Sequence, residues 1–138
     1  MRTLYTAVST AHGGPDGHVR SSDGVVDLDL KTPKEMGGPG GVGTNPEQLF
    51  AEGYAACFES AMRAVARKQK RALADAAVTG HVGFNVTDEG KYALSVELHG
   101  RVEGWSSDDT RALMHAAHEV CPYSNATRGN IEVNLIAD

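Results

Sequence analysis

Apolar and polar residues alternate in four stretches of the chain and recur at every third or fourth position in two others. Val26, Leu28 and Leu30 alternate with Asp27 and Asp29, the period of a half-buried strand, and Asp23-Gly24 just before them is a hairpin turn signal. Val78, Gly80, Val82, Phe84 and Val86 share one strand face, and Tyr92, Leu94, Val96, Leu98 and Val102 share another. Asp88 to Lys91 joins these two as a hairpin. Ile131, Val133 and Leu135 alternate as a last strand.

The helical stretches carry their own start and stop signals. Asn45 can cap, Pro46 suits a first helical position, and Gln48 can reach back as a capping-box partner. Phe50, Tyr54, Cys57, Ala61 and Val65 then form a stripe that faces the core, on a helix expected to reach about Lys70. Ser106 or Ser107 caps a second helix, with Asp108 and Asp109 at its positive end and Leu113, Ala116, Ala117 and Val120 as its apolar face. Cys121-Pro122 interrupts it: Pro122 disfavours a helical Cys121 and opens a short helix that ends at Gly129.

The order of strands, long helix, hairpin, helix and strand predicts an α+β fold, with helices against antiparallel sheet, in one domain over residues 1–138. The amino-terminal strands precede any helix that could cover them, so a second subunit is expected there. Hydrophobic residues make up 41% of the chain, which is ordinary for a globular protein. A net charge of −5 argues against nucleic-acid binding; the densest basic cluster, Arg67 to Arg71, reads as an exposed helix end. No apolar run is long enough for a membrane span. The first residues lack the apolar core of a secretion signal, so the expected compartment is the cytoplasm. Residues 37–43 loosely match the spacing of a phosphate loop, but Thr44 stands where its lysine belongs.

The two cysteines carry the candidate chemistry. By position alone Cys57 reads as a core residue on an apolar helix stripe. Cys121, as the residue before a first-turn proline, is a cap position at which a helix terminus lowers a thiol pKa; a cap that happens to be Cys is the competing reading. His115 and His118 sit three apart on one helix without an obvious third metal ligand, and read as a solvated face. A cysteine hydrolase needs a histidine oriented on Cys57 and has no use for Cys121. The Asn-x-Thr triplets at Asn85 and Asn125 read as chance matches.

Two long segments reach further. Gly43-Thr-Asn-Pro-Glu-Gln-Leu-Phe-Ala-Glu-Gly-Tyr-Ala-Ala-Cys57-Phe and His118-Glu-Val-Cys121-Pro-Tyr-Ser-Asn-Ala-Thr-Arg-Gly-Asn130-Ile resemble the two signatures of the organic hydroperoxide resistance proteins, within the OsmC-like superfamily. Leu4-Tyr-Thr-Ala and Ser21-Ser-Asp-Gly24 extend the resemblance over essentially the whole chain. The resemblance implies an intertwined homodimer, with antiparallel sheets wrapped around central helices. It implies a thiol peroxidase in which Cys57 attacks an organic hydroperoxide and Cys121 resolves the sulfenic acid as an intramolecular disulfide. It also implies regeneration by a dithiol, typically a protein-bound lipoyl group, with no metal, haem or flavin. Phe50 and Tyr54 are the expected lining of an apolar pocket for the alkyl tail.

Glu47 matches the family carboxylate that holds an arginine on the thiolate. The arginine itself is missing: the family loop Gly-Gly-Arg-Asp-Gly reads Gly13-Gly14-Pro15-Asp16-Gly17 here. Arg20 is the expected substitute, with Arg128 and His18 behind it. Without a cation, a dithiol redox sensor or stress-binding protein with weak turnover is the alternative function.

Overall fold

A three-stranded antiparallel meander opens the chain: β1 (Ser9–His12), β2 (His18–Ser21) and β3 (Asp27–Asp29), with Ser9 opposite Ser21 and His18 opposite Asp29. The computed structural model describes residues 1–138, which divide into two compact units, Met1–Leu49 and Phe50–Asp138. In the first unit the β2–β3 turn is closed by Asp23, whose carboxylate accepts from the Ser21 hydroxyl (2.6 Å) and the Val25 amide (3.0 Å). Gly24 follows in the left-handed region (φ 75°), as that turn requires. Pro15 lies in a short 3₁₀ turn between β1 and β2. Thr10, His12, His18, Arg20, Asp27 and Asp29 alternate onto one face of the meander, and Ala11, Val19 and Leu28 onto the other. Leu30 is buried, but Leu4, Tyr5, Val8, Val25 and Val42 are exposed.

Helix α1 spans Pro46–Lys68. Asn45 Oδ1 accepts from the Gln48 amide at 2.8 Å, as its sequence implies. The return arm of the expected capping box is diverted, because Gln48 Oε1 accepts from the Thr44 hydroxyl at 2.9 Å. The helix stops two residues short of Lys70. Lys70 takes a left-handed φ of 56°, and the amides of Lys70 and Arg71 close back onto Arg67 and Ala66, the pattern of a Schellman cap.

In the second unit, β4 (Ala76–Val86) and β5 (Tyr92–Val102) form the expected hairpin, in full register from Ala76–Val102 to Val86–Tyr92. Helices α2 (Ser107–Val120) and α3 (Pro122–Thr127) follow, then β6 (Val133–Ala137). Strand β6 pairs with β5 in parallel, not antiparallel, so the sheet is mixed. The physical reason is the connection: residues 103–132 carry two helices, enough chain to cross over and re-enter in the same direction.

Val96, Leu98 and Val102 of β5 bury against Tyr54, Phe58, Met62 and Ala66 of α1 and Leu113, Met114 and Ala117 of α2. The expected stripe of α1 is therefore displaced by about one residue. Phe58 and Met62 have no exposed surface, whereas Phe50, Cys57 and Val65 pack only at the margin. On α2, Val120 is half exposed and Met114 takes the core position in its place.

Candidate active site

The two cysteines, 64 residues apart in sequence, meet at the edge of this core with their Sγ atoms 3.5 Å apart; both are free thiols. Cys57 lies in the fourth turn of α1 and is partly open to solvent, while Cys121 is fully buried. Ser106 caps α2 by accepting from the Asp109 amide, and α2 ends at Cys121 because Pro122 cannot continue it. Cys121 is then also the N-cap of α3, with Pro122 at its first position. No side chain caps α3. Pro122 has no N–H, and the next amide, that of Tyr123, lowers the Cys57 pKa.

Burial pushes the Cys57 thiol above its ordinary pKa; the Tyr123 amide opposes this, and the neighbouring Cys121 thiol adds to it. Burial dominates because a thiolate loses more hydration than one backbone hydrogen bond returns.

A buried polar network holds α3 in place. Ser124 Oγ lies 2.9 Å from the Tyr54 hydroxyl on α1 and 2.8 Å from His118 Nδ1 on α2. The Tyr54 hydroxyl also lies 3.2 Å from Thr127 Oγ1, and Arg128 donates to the His118 carbonyl at 2.7 Å. The ring of Tyr123 packs on Tyr54 with centroids 5.6 Å apart. Gly53 permits this approach, since a Cβ there would stand 2.8 Å from the Tyr123 hydroxyl. Burial, and then the Arg128 charge, lower the His118 pKa. None of these roles was predicted for His118 or Ser124; the one signal was their place three residues either side of Cys121.

The remaining expected residues distribute unevenly. Phe50 packs edge-on to Tyr54 and near Tyr123. Tyr54 has no exposed surface, so it is a core residue rather than an open pocket wall. Glu47 lies in the first turn of α1 and lines a cavity of about 490 Å³ in the amino-terminal unit, together with Pro15, Leu30, Lys31, Pro33 and Met36. Arg20 is not paired with Glu47. It stands opposite Asp27 in the meander, and its Nε lies 3.7 Å from that carboxylate. His18 is held between Asp27 and Asp29, which raise its pKa, Asp29 foremost. Arg128 is committed to the His118 carbonyl and Asn125. His115 is exposed, as expected, but His118 is not a solvated-face residue. No group of three or more His, Cys, Asp or Glu side chains is placed to hold a metal ion, and no helix is long and apolar enough to cross a membrane.

The family model for OsmC-like proteins matches residues 38–136. The organic hydroperoxide resistance protein of Xanthomonas axonopodis pv. citri is 50% identical over 97% of this chain and 94% of its own length. A crystal structure from Legionella pneumophila, described as an organic hydroperoxide resistance protein OsmC, superposes with a TM-score of 0.93 at 52% identity, covering 99% of each chain. That of OhrB from Bacillus subtilis superposes with a TM-score of 0.90 at 42% identity, covering 99% of this chain and 100% of its own. With its two signatures, its paired sulfurs and likeness of this extent, the chain belongs to the OsmC-like family, among the organic hydroperoxide resistance proteins.

Proposed function

We propose that this protein is a two-cysteine thiol peroxidase that reduces organic hydroperoxides to alcohols in defence against oxidative stress. The observation that carries the reading is the 3.5 Å separation of the Cys57 and Cys121 sulfurs, one reachable from solvent and one buried. The Cys57 thiolate attacks the terminal oxygen of the hydroperoxide, the O–O bond breaks, and the departing alkoxide takes a proton to become the alcohol. Cys57 is left as a sulfenic acid. The Cys121 sulfur then attacks Cys57, the S–O bond breaks, water leaves and a disulfide forms. Closure from 3.5 Å to a bond of about 2.05 Å asks only for a small local shift. An external dithiol, such as a dihydrolipoyl group, returns both thiols. The setting is a reducing compartment, the cytoplasm.

A thiolate at neutral pH needs more than the Tyr123 amide, because burial holds Cys57 up. A carboxylate-held cation supplied by a second copy meets that need. Glu47 precedes Cys57 by ten residues on α1, about 15 Å at helical rise, so the two do not meet along one helix. The exposed Leu4, Tyr5, Val8 and Val25 of the amino-terminal unit also favour a homodimer that covers them. The cavity beside Glu47, with Leu30, Pro33 and Met36 in its wall, suits an alkyl or fatty-acyl tail better than Phe50 with the buried Tyr54 does.

Steady-state reduction of cumene hydroperoxide with dihydrolipoamide tests the reading: sustained turnover is expected, and a protein that forms the disulfide once but does not cycle overturns it. That second outcome is the redox-sensor reading, which Pro15 and the raised Cys57 pKa favour.

A further inference from the structure

Ser124 has no exposed surface, and its hydroxyl is the one atom at which α1, α2 and α3 meet through side-chain hydrogen bonds. We propose that His118 and Ser124 are positioning residues for the cysteine pair: with Tyr54 they fix the first turn of α3, keeping Cys121 within reach of the Cys57 sulfur. The inference rests on the thiol chemistry proposed above and deepens it.

The donor and acceptor inventory gives the network a direction. Each hydroxyl has one hydrogen to give, and a neutral imidazole carries one N–H. Thr127 gives its hydrogen to the Ser124 carbonyl (3.2 Å), so Tyr54 donates to Thr127 Oγ1 (3.2 Å), Ser124 donates to the Tyr54 hydroxyl (2.9 Å), and His118 Nδ1–H donates to Ser124 Oγ (2.8 Å). Arg128 donates to the His118 carbonyl (2.7 Å). No buried side-chain polar atom is left without a partner. A depressed imidazole pKa agrees with a neutral ring; burial lowers it first, then the charges of Arg128 and His115, and Glu119 raises it.

Ser124 follows Tyr123 directly and follows Cys121 by three residues, so rotation of Ser124 carries both the Tyr123 amide and the second sulfur. The Tyr123 amide, in the turn that Ser124 holds, lowers the Cys57 pKa against burial, so loosening that turn should raise it.

The experiment is alkylation of Cys57 as a function of pH, read by peptide mass, in the full-length protein and in Ser124→Ala, His118→Leu and His118→Gln. Ser124→Ala and His118→Leu should raise the midpoint by about half a unit, a fall of about threefold in rate at pH 7. His118→Gln, whose amide N–H can donate to Ser124 Oγ, should restore most of that difference. After one equivalent of cumene hydroperoxide, dimedone should trap more Cys57 sulfenic acid in Ser124→Ala than in the unaltered protein. Leu135→Ala, a packing change outside the network, controls for loss of stability alone. Superimposable alkylation curves in folded Ser124→Ala and His118→Leu overturn the proposal. So does an equal shift in Leu135→Ala at matched melting temperature. If Ser124→Ala does not fold, the two His118 variants decide by the same criterion. Alkylation needs no peroxide turnover, so failure of the peroxidase reading is seen separately, in the hydroperoxide assay of the unaltered protein.

Discussion

The sulfur of Cys57 lies 3.5 Å from that of Cys121, the residue that ends α2 and begins α3. The two cysteines are unequal partners: one is partly open to solvent, the other is sealed behind it.

That inequality fixes the outcome of removing each. Cys57→Ser should abolish hydroperoxide consumption, since a hydroxyl is not ionised at neutral pH. Cys121→Ser should still consume about one equivalent, with Cys57 stopping at the sulfenic acid or passing to the sulfinic form, visible as a mass gain of one or two oxygens. A disulfide between chains in the oxidised unaltered protein would contradict the pairing.

Sedimentation should find a homodimer at micromolar concentration. The exposed apolar side chains at Leu4, Tyr5, Val8 and Val25 need a cover that their own chain does not provide. Replacing Leu4 and Tyr5 together with Ser should weaken the dimer, and a folded monomer in the unaltered protein would refute the arrangement.

Two cations are separable candidates for the place of the missing family arginine. Arg20 faces Asp27, whereas Lys31 lines the same cavity as Glu47 and Pro15. Arg20→Ala should leave the alkylation curve of Cys57 unchanged, and Lys31→Ala should move its midpoint upward by about one unit if that lysine serves the thiolate. The reverse pattern would restore Arg20 to the role that the sequence suggests.

Acid should cost stability through His118. Its pKa is lowered in the fold, so the unfolded chain takes the proton first as pH falls below about 6.5. The contribution is complete above that value and is lost as pH falls through the folded pKa. His18 and His99, raised by Asp29 and by Asp138 respectively, act with the opposite sign: their contributions are present at low pH and lost as pH rises past their folded values. The difference in urea stability between the unaltered protein and His118→Gln, followed from pH 7.5 to 5, isolates the first effect; a constant difference would mean that His118 does not titrate in this window.

Much of the architecture follows from local pattern. Alternation at Val78–Val86 and Tyr92–Val102 is enough for a hairpin, and Asn45-Pro46 and Ser106 mark helix starts with their own side chains. The phase of α1 is harder to read, because Cys57 and Phe58 are both apolar neighbours and only packing decides that Phe58 goes inward. The direction of β6 depends on how α2 and α3 cross the sheet, which no residue of β6 records. At the candidate site, the pairing of the cysteines was legible because two long motifs carry them. The Tyr54–Ser124 contact spans 70 residues, and one of its consequences passes through a backbone amide, a group every residue but proline has. The partner of Arg20 was hidden for a related reason: its reach could be estimated, but not the carboxylate of Asp27 on the next strand.

In the proposed cycle, the sealed position of Cys121 also sets the regiochemistry of repair. Once the disulfide has formed, an incoming thiolate can approach in line only at the sulfur that solvent reaches, that of Cys57, and must expel Cys121 as the leaving group. The mixed disulfide with the reductant is accordingly borne on α1, and the released Cys121 thiolate, enclosed beside it, is the internal nucleophile that can either reverse the step or wait for the reductant's second thiol. A reductant with two thiols on one short arm wins that competition, and a monothiol at equal concentration is continually sent back.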